Sequence, residues 1–478
     1  MEEIKLQKEI INQALLKGRK DNMFHTKINI IHIFIITIFC LLLFSQVIIA
    51  QGPDDAIRIL DNQIGFGARA LGMGGTYSAV AEDYSAIYWN PAGLAQIRKT
   101  EFWVGFSHLY QSSDIDFNGS KTESATSATK FNSFGLVFPV PTYQGSLVFA
   151  LGYQKVKDFE YSNEYQGVSD TGTTWLSFDE VDINNPQHVY DFWGENVLKT
   201  GLITDDGSLE QWSMGGAIDI SQNISVGLTL NYWKGKSEYL VEFNQYDQFS
   251  LFNPPADFDE YQETRYINSK YTSFNAKFGA MMRLGKLMRL GLGMDIPHTF
   301  TVTEDYGYDA SLYFDNGDVS DFSEQATYKY EVRTPFRFQA GATLKLGTIL
   351  ASGGLSYTDW TQFKFNSGEL VNQNKIFKTD YRGTLQVKLG GEIGIPFLAS
   401  QFRAGLVYDP TPLKGYDFDY DRKYVSVGYG VLLDRIFKID LAYMLGFWKQ
   451  QTSDDLNPAG TIEDILYHKL LLTFSYRF

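Results

Sequence analysis

The sequence of 478 residues contains a single cysteine, Cys40, which lies in an apolar stretch near the N-terminus. The rest of the chain can therefore form no disulfide and offers no thiol for catalysis or metal binding. After Ala50 no run of 18 or more apolar residues occurs, which excludes membrane-spanning helices from that part of the chain. The sequence thus favours neither a disulfide-stabilised scaffold nor a helical membrane protein.

Basic charge is also scarce. The chain has 41 Lys and Arg against 56 Asp and Glu, and without residues 1–50 the counts are 35 and 52, a net charge of −17. Nucleic acid requires a basic surface, so it is excluded as a partner. The six histidines show no metal-ligand spacing and no G-x-S-x-G motif occurs, so we expect no metal site, no cofactor and no enzymatic activity.

One group of aspartates leaves two interpretations open. Asp305, Asp309, Asp315, Asp318 and Asp321 lie close together in the sequence. Their spacing does not match an EF-hand loop. A solvated acidic loop is the simpler interpretation, and a calcium site is the alternative.

Strand-like alternation is the main pattern after Thr100. From Ile224 to Tyr232 every second side chain is apolar, with Ser, Gly, Thr and Asn between them, as expected for a strand with one polar face. Fourteen such segments follow in series: 100–112, 129–140, 144–158, 209–221, 223–242, 274–284, 288–296, 336–346, 349–357, 385–395, 402–408, 425–431, 435–448 and 468–478. An even number of alternating segments in a chain rich in Tyr and Phe predicts an all-β fold, a 14-stranded antiparallel transmembrane β-barrel.

The connections between these segments alternate in length. Short ones lie near 139–144, 222, 285–286, 347, 397–400 and 434–435, and long ones at 113–128, 159–208, 243–264, 305–322, 365–376, 409–418 and 451–463. Outer-membrane barrels have short periplasmic turns and longer external loops, so we assign the long connections to the cell exterior. Within the longest of them, Pro186–Lys199 is predicted to form a short helix across the mouth of the barrel.

The N-terminus has the pattern of a secretory signal peptide. Lys27 precedes an apolar stretch that ends at Ala50, a small residue followed by polar, turn-forming residues. We expect residues 1–50 to be the signal peptide, cleaved after Ala50, with an uncleaved membrane anchor as the alternative. Met23 is an alternative start, in which case residues 1–22 are not part of the protein.

The C-terminal strand has an aromatic apolar face. Leu470, Leu472, Phe474, Tyr476 and Phe478 occupy every second position, and Phe478 is the last residue. This pattern resembles the C-terminal signal by which the barrel-assembly machinery of the Gram-negative outer membrane recognises its substrates. The resemblance implies that the protein is exported and inserted into the outer-membrane bilayer, with Phe474, Tyr476 and Phe478 as the assembly signal.

Residues 51–99 lack a clear barrel strand and contain three short motifs. These are Gly67-Ala68-Arg69-Ala70-Leu71-Gly72-Met73-Gly74-Gly75, then Ala79-Val80-Ala81-Glu82-Asp83, then Tyr88-Trp89-Asn90-Pro91-Ala92-Gly93-Leu94. They resemble the N-terminal hatch of the FadL-like outer-membrane transporters of long-chain fatty acids and other hydrophobic compounds. The resemblance implies a hatch at 51–99 that plugs a β-barrel formed by 100–478.

The same resemblance implies a function. A hydrophobic ligand would bind outside, pass the hatch and leave sideways through a gap in the wall, without chemistry. The residues it identifies for the hatch and its gating are Gly72, Gly74, Gly75, Asn90, Pro91 and Ala92. A movable constriction and a static plug both remain open. PorV-like relatives of this family serve a protein-secretion system instead, so a structural component of such a system is the alternative function.

Cations are expected on the lumen face of the predicted strands in an otherwise acidic chain. Arg283, Arg289, Arg337 and Arg403 occupy such positions. They either neutralise hatch carboxylates such as Glu82 or attract the anionic head group of a ligand.

Overall fold

The computed structural model describes residues 52–169, 179–181, 189–191, 197–248, 258–314, 317, 319–453 and 460–478. The strands, in chain order, are β1 (Glu101–Phe117), β2 (Ser120–Val140), β3 (Leu147–Asp158), β4 (Tyr161–Ser169), β5 (Asp179–Val181), β6 (Val189–Asp191), β7 (Val197–Asp219), β8 (Ile224–Tyr246), β9 (Phe258–Leu284), β10 (Met288–Asp295), β11 (Thr299–Phe314), β12 (Val319–Arg333), β13 (Arg337–Leu346), β14 (Ile349–Asp359), β15 (Lys364–Ser367), β16 (Gly383–Ile395), β17 (Ser400–Asp409), β18 (Arg422–Leu433), β19 (Phe437–Thr452) and β20 (Thr461–Arg477).

All of these strands except the small β5–β6 hairpin form one antiparallel sheet. β1 pairs with β20 from Glu101↔Arg477 to Asp116↔Ile462, so the sheet closes on itself. Four strands of the wall are interrupted, as β3/β4, β10/β11, β12/β13 and β14/β15. When the two parts of each interrupted strand are counted as one, the barrel has 14 strands, as predicted. The closed barrel is thus confirmed. Closure removes the free edges that an open sheet would expose to lipid.

The two faces of the strands follow the predicted alternation. In β8, Ser225, Thr229 and Asn231 are buried in the interior, while Leu228 and Tyr232 are exposed on the outside. A polar interior and an apolar exterior belong to a wall that faces lipid. The short connections are also confirmed, at 141–146, 220–223, 285–287, 347–348, 396–399 and 434–436.

Two predicted external features are wrong. The connection expected at 113–128 is a two-residue turn, Asn118–Gly119, with φ of 50° and 83°. β1 and β2 extend to this turn because Ile115 and Phe117 are buried in an apolar cluster with Tyr165. The helix expected within 186–199 is also absent from its described residues, since 189–191 and 197–199 are strand; the rest of it lies outside the described residues.

Other connections that were predicted to be long are also shorter than expected, because their strands extend further. β8 and β9 reach into the range predicted as the loop 243–264, and β11 and β12 continue into the predicted loop 305–322. Strands that continue beyond the membrane can carry polar side chains on both faces, so the alternation that marks a membrane-spanning strand fades from the sequence. Pattern reading therefore ends these strands too early.

The N-terminal segment, residues 52–99, contains the helices α1 (Pro53–Leu60), α2 (Ala68–Gly72) and α3 (Ala86–Trp89) and a 3-10 helix (Pro91–Gln96). It lies inside the barrel, in contact with strands on all sides, and its side chains from Phe66 to Ala95 are almost all buried. A further helix, α4 (Ile376–Thr379), lies in the connection after β15. Among the residues that the structure describes, no helix is both long and apolar enough to span a bilayer. The predicted signal peptide, residues 1–50, lies outside them.

Candidate functional site

The N-terminal segment contacts the wall at glycines. At seven wall glycines of the described strands, a Cβ atom would lie within 2.4 Å of the segment; they are Gly135, Gly152, Gly227, Gly279, Gly291, Gly390 and Gly405. We call them the contact glycines. A Cβ at Gly405 would lie 2.1 Å from the amide nitrogen of Gly74, and one at Gly279 would lie 2.1 Å from Oδ1 of Asn90. The segment therefore approaches the wall more closely than any residue with a side chain would permit, with its backbone at Gly227, Gly291, Gly390 and Gly405 and with side chains at the other three.

The predicted residues Asn90, Pro91 and Ala92 lie in this tightly packed region. Asn90 is fully buried. Its Nδ2 donates to the carbonyls of Ser78 (2.6 Å) and Ala280 (3.1 Å), and its Oδ1 accepts the amide of Ala92 (3.1 Å). Asn90 thereby caps the 3-10 helix and joins two parts of the segment to β9.

Of the predicted glycines, Gly72 ends α2, and Gly74 and Gly75 lie in the turn that follows. Gly74 and Gly75 have φ of +63° and +69°, a region that favours glycine. The amide of Gly74 donates to the Leu71 carbonyl (2.9 Å) and also contacts Oγ of Ser426 (3.1 Å). The structure thus brings all six predicted hatch residues against the wall, and their role in gating stays a prediction.

A network of ion pairs connects the segment to one side of the wall. Arg69 pairs with Glu82 (2.8 Å) and with Glu392 on β16 (2.8 Å), and Glu392 also pairs with Arg403 on β17 (2.7 Å). Arg289 on β10 pairs with Glu82 (3.1 Å). Burial alone would raise the pKa of the Glu82 carboxyl, but the charges of Arg69 and Arg289 outweigh it and lower that pKa to about 2. Glu82 is therefore charged at neutral pH.

The four predicted lumen arginines differ in their partners. Arg289 and Arg403 belong to this network, and Arg283 pairs with Asp219 (2.7 Å). Arg337 contacts neutral oxygens only, Oε1 of Gln63 among them (3.2 Å), and has no carboxylate within 4 Å among the described residues. Neutralisation of carboxylates accounts for three of the arginines, and Arg337 is the one of the four that remains for an anionic group.

Helix α1 is held by an apolar face, with Ala56, Ile57, Ile59 and Leu60 buried, and by charged side chains. Arg58 pairs with Asp205 on β7, and Asp61 pairs with Arg422 on β18. Nζ of Lys157 on β3 donates to the carbonyl of Asp61 (2.7 Å). Burial would raise the pKa of the Asp61 carboxyl, but the charge of Arg422 outweighs it and lowers that pKa. α1 is thus attached by apolar contacts and by ion pairs that water and ions can replace, whereas residues from Phe66 onward also pack against the contact glycines.

Two small cavities flank the linker between α1 and α2. One, of about 30 Å³, is lined by Gln63, Tyr88, Lys277 and Arg337 among others. The other, of about 20 Å³, includes Gln63 and Trp89. A cavity of this size holds about one or two water molecules. Around this linker the described lumen is closed to any larger molecule.

The wall itself has a gap in its backbone pairing. The β2–β3 ladder runs from Val140↔Leu147 to Ser133↔Gln154 and stops there. Beyond that point side chains bridge β2 and β4: Oγ of Ser124 lies 2.7 Å from Oγ of Ser162. The chain between β3 and β4 contacts the segment, since Arg58 lies over the ring of Phe159 (5.2 Å). The gap therefore lies beside α1.

The segment also joins the two strands that close the barrel. Oε1 of Glu101 on β1 accepts the amide of Tyr84 (2.9 Å), and Oε2 of Glu101 pairs with Arg477 on β20 (2.5 Å). Arg477 in turn donates to the carbonyl of Glu82 (3.2 Å).

Nearby on the outer face of β20, the ring of Phe474 stacks on that of Phe437 (6.1 Å between centroids), and Tyr476 contacts Phe478. The assembly role of these aromatic residues stays a prediction.

Sequence reasoning missed the contact glycines and the partners of α1. Glycines on the lumen face of predicted strands are a usable signal, since a strand has little other reason to omit the side chain there. The pairing of Arg58 and Asp61 with distant strands has no sequence signal.

The aspartates near 305–321 lie partly on β11 and β12, where Oδ1 of Asp309 accepts a hydrogen bond from Ser323 (2.7 Å). No metal-binding group of three ligands occurs among the described residues.

Comparison with known proteins finds a similar fold in solved structures. No model of a protein family matches the sequence, and no curated protein is similar to it in sequence. A FadL homologue from Pseudomonas aeruginosa has a similar structure, with a TM-score of 0.56 and 14% identity over 86% of this chain and 98% of that chain. The toluene transporter TodX of P. putida has a TM-score of 0.54 and 13% identity, over 87% of this chain and 99% of that one.

A third similar structure is the monoaromatic hydrocarbon channel CymD, with a TM-score of 0.51 and 12% identity over 87% of this chain and 98% of that chain. The resemblance to the FadL-like family is therefore confirmed at the level of the fold. TodX is described as a toluene transporter and CymD as a monoaromatic hydrocarbon channel.

Proposed function

We propose that the protein is an outer-membrane channel for the passive passage of hydrophobic compounds, with the N-terminal segment as its hatch. The observation that carries this proposal is a 14-stranded lumen occupied by a segment with water-sized cavities beside its linker. A wall of this size cannot fill its own interior, so a plug of this kind controls what passes. The apolar cargo of TodX and CymD, as their names describe it, supports the choice of hydrophobic compounds.

Gating in this proposal is the work of α1 and the linker that follows it. Four of the six predicted hatch residues, Gly74, Asn90, Pro91 and Ala92, pack against contact glycines, and Gly72 and Gly75 lie beside them. Together they form the fixed frame of the hatch. α1 and residues 61–65 are attached by ion pairs and border both cavities. Movement of α1 would join these cavities and open a path to the inner end of the gap, next to Ser133 where the β2–β3 ladder stops, and there the cargo leaves sideways into the membrane.

Long-chain fatty acids are the finer proposal for the cargo. Arg337 and Lys277 line the larger cavity, and Arg337 has no acidic partner among the described residues. Lys277 is paired with Asp295 (3.2 Å), so Arg337 is the cation that a carboxylate head group would meet there, next to the ring of Tyr88.

Uptake by whole cells tests this function. Cells that lack the gene should take up both toluene and a long-chain fatty acid more slowly than complemented cells. Uptake of toluene alone would retain the channel and reject fatty acids as cargo. Normal uptake of both compounds, with loss of secreted proteins from the medium, would reject the channel in favour of a component of a secretion system.

A disulfide across the gap tests the sideways exit. In a Cys40→Ser background, Ser124→Cys and Ser162→Cys should form a disulfide, because the two hydroxyl oxygens lie 2.7 Å apart. Oxidised cells should lose uptake and regain it after reduction. The control pair is Ser311→Cys and Asp321→Cys, which are register partners in the complete β11–β12 ladder, and it should leave uptake unchanged. Equal uptake with both disulfides formed would contradict an exit at this gap.

A further inference from the structure

The outer surface of the barrel carries a basic groove where three neighbouring strands are interrupted. The interruptions are residues 296–298 between β10 and β11, 334–336 between β12 and β13, and 360–363 between β14 and β15. The groove that they form has a volume of about 700 Å³. It lies at the N-terminal end of β13, and the short turn 347–348 lies at the other end. The loop lengths assign the N-terminal end of β13 to the cell exterior.

Four exposed cations line this groove: Arg333, Lys364, Lys375 and Lys378. Among the described residues around it, none of the lining side chains is a carboxylate, and none of the four cations has an acidic partner within 4 Å. Glu331 and Glu369 belong to the same segments but do not line the groove. Four uncompensated positive charges are unexpected in a chain with a net charge of −15, and they are complementary to an anion.

An apolar groove continues from the basic one down the lipid-facing wall. The outward side chains are Phe336 at the basic groove, just before β13, and then Phe338, Ala340 and Ala342 on β13 itself. The small side chains form the floor of two hollows, of about 510 and 570 Å³, which share Ala340 as a lining residue. Taller side chains such as Leu292 and Leu355 line the same hollows. This shape fits alkyl chains that lie along the strands.

We propose that this face binds a phosphorylated lipid of the outer leaflet, with its phosphate on the four cations and its acyl chains in the groove over Ala340 and Ala342. Guanidinium and ammonium groups both bind phosphate, the former as a fork and the latter as a point charge. A free anion would leave the apolar groove unoccupied, and a zwitterionic lipid would not neutralise the positive charge of the four cations. The site lies on the outer wall, so it does not depend on what passes through the lumen.

Lipid retention by the purified full-length protein tests the proposal. The protein is equilibrated with micelles that contain equal amounts of phosphatidylglycerol and phosphatidylcholine with the same acyl chains, and bound lipids are counted by native mass spectrometry. The wild type should retain phosphatidylglycerol preferentially. The triple variant Lys364→Gln, Lys375→Gln, Lys378→Gln should lose most of this preference, since each cation near an anionic lipid is expected to contribute about fivefold in affinity.

Matched variants separate the site from general charge and surface effects. The control triple Lys121→Gln, Lys234→Gln, Lys286→Gln changes the net charge equally at exposed positions outside the groove and should retain the lipid. Ala340→Phe should reduce retention by filling the groove, whereas Val427→Phe on the lipid-facing side of β18 should not. Equal retention by the two triples, no preference in the wild type, or displacement of the lipid by millimolar inorganic phosphate would each overturn the proposal.

Discussion

Replacement of Glu392 by glutamine should destabilise the folded protein by about 1.5–3 kcal/mol, because two buried guanidinium groups lose their shared charged acceptor, although Arg69 keeps Glu82 and Arg403 keeps Asp440. Glu392 receives Arg69 from the N-terminal segment and Arg403 from β17. Loss of one partner from a buried ion pair costs far more than the intact pair contributes. The measurement is the free energy of unfolding in detergent micelles, from denaturant titration followed by tryptophan fluorescence.

Two further variants give this result a specific meaning. Asp464→Asn breaks an exposed pair with Lys449 and should cost less than about 1 kcal/mol. The double variant Glu392→Leu, Arg69→Met should recover part of the loss, because one cation of the network is removed together with the anion. A loss for Glu392→Gln no larger than that for Asp464→Asn would contradict a structural role for the network.

The second large effect is expected from Gly405→Val, which should displace the turn after α2 and open the lumen while the barrel remains folded. The new Cβ would lie 2.1 Å from the amide nitrogen of Gly74 and 2.4 Å from the carbonyl carbon of Met73. Both are backbone atoms, so no side-chain rotation relieves the contact. The ladders of β17 with β16 and β18 do not involve the segment, so the wall should persist.

Conductance across a planar bilayer measures this effect. The wild type should conduct little, and Gly405→Val should give discrete channel openings, since an emptied barrel of 14 strands is wide enough for water. The control is Gly353→Val on β14, where a Cβ would meet its nearest atom at 3.8 Å. Normal heat-modifiable migration on a gel checks that each barrel is folded. A closed, folded Gly405→Val barrel would mean that the segment tolerates displacement from the wall.

The sequence was sufficient to predict the strand count because alternation and lipid exposure have the same cause. Each membrane-spanning strand must turn one face to lipid, and that requirement is visible in pairs such as Ser225 and Leu228. The extensions of β1 and β2 were not predictable in this way. Outside the bilayer both faces of a strand can be polar, and only the burial of Ile115 and Phe117 inside the rim fixes the strand there.

The candidate site was predictable in part. The motifs around Gly74 and Asn90 identified the parts of the segment that contact the wall. The partners of these residues were not predictable, because the contacts join positions far apart in the chain, as in the pair of Arg69 and Glu392. The same holds for Arg337: the pattern placed it on the lumen face with three other arginines, and only the structure distinguishes it from the three that are ion-paired.

The contacts of the segment with both closing strands bear on the order in which the barrel assembles. Glu101 on β1 and Arg477 on β20 are bound to each other and to the backbone of residues 82–84. The segment precedes β1 in the chain, so it is synthesised before any strand exists, whereas β20 is synthesised last. If the segment occupies the interior before the first and last strands meet, their union completes its binding site and traps it in the same step. A chain without residues 52–99 should then close more slowly, although every backbone hydrogen bond of the wall remains available to it.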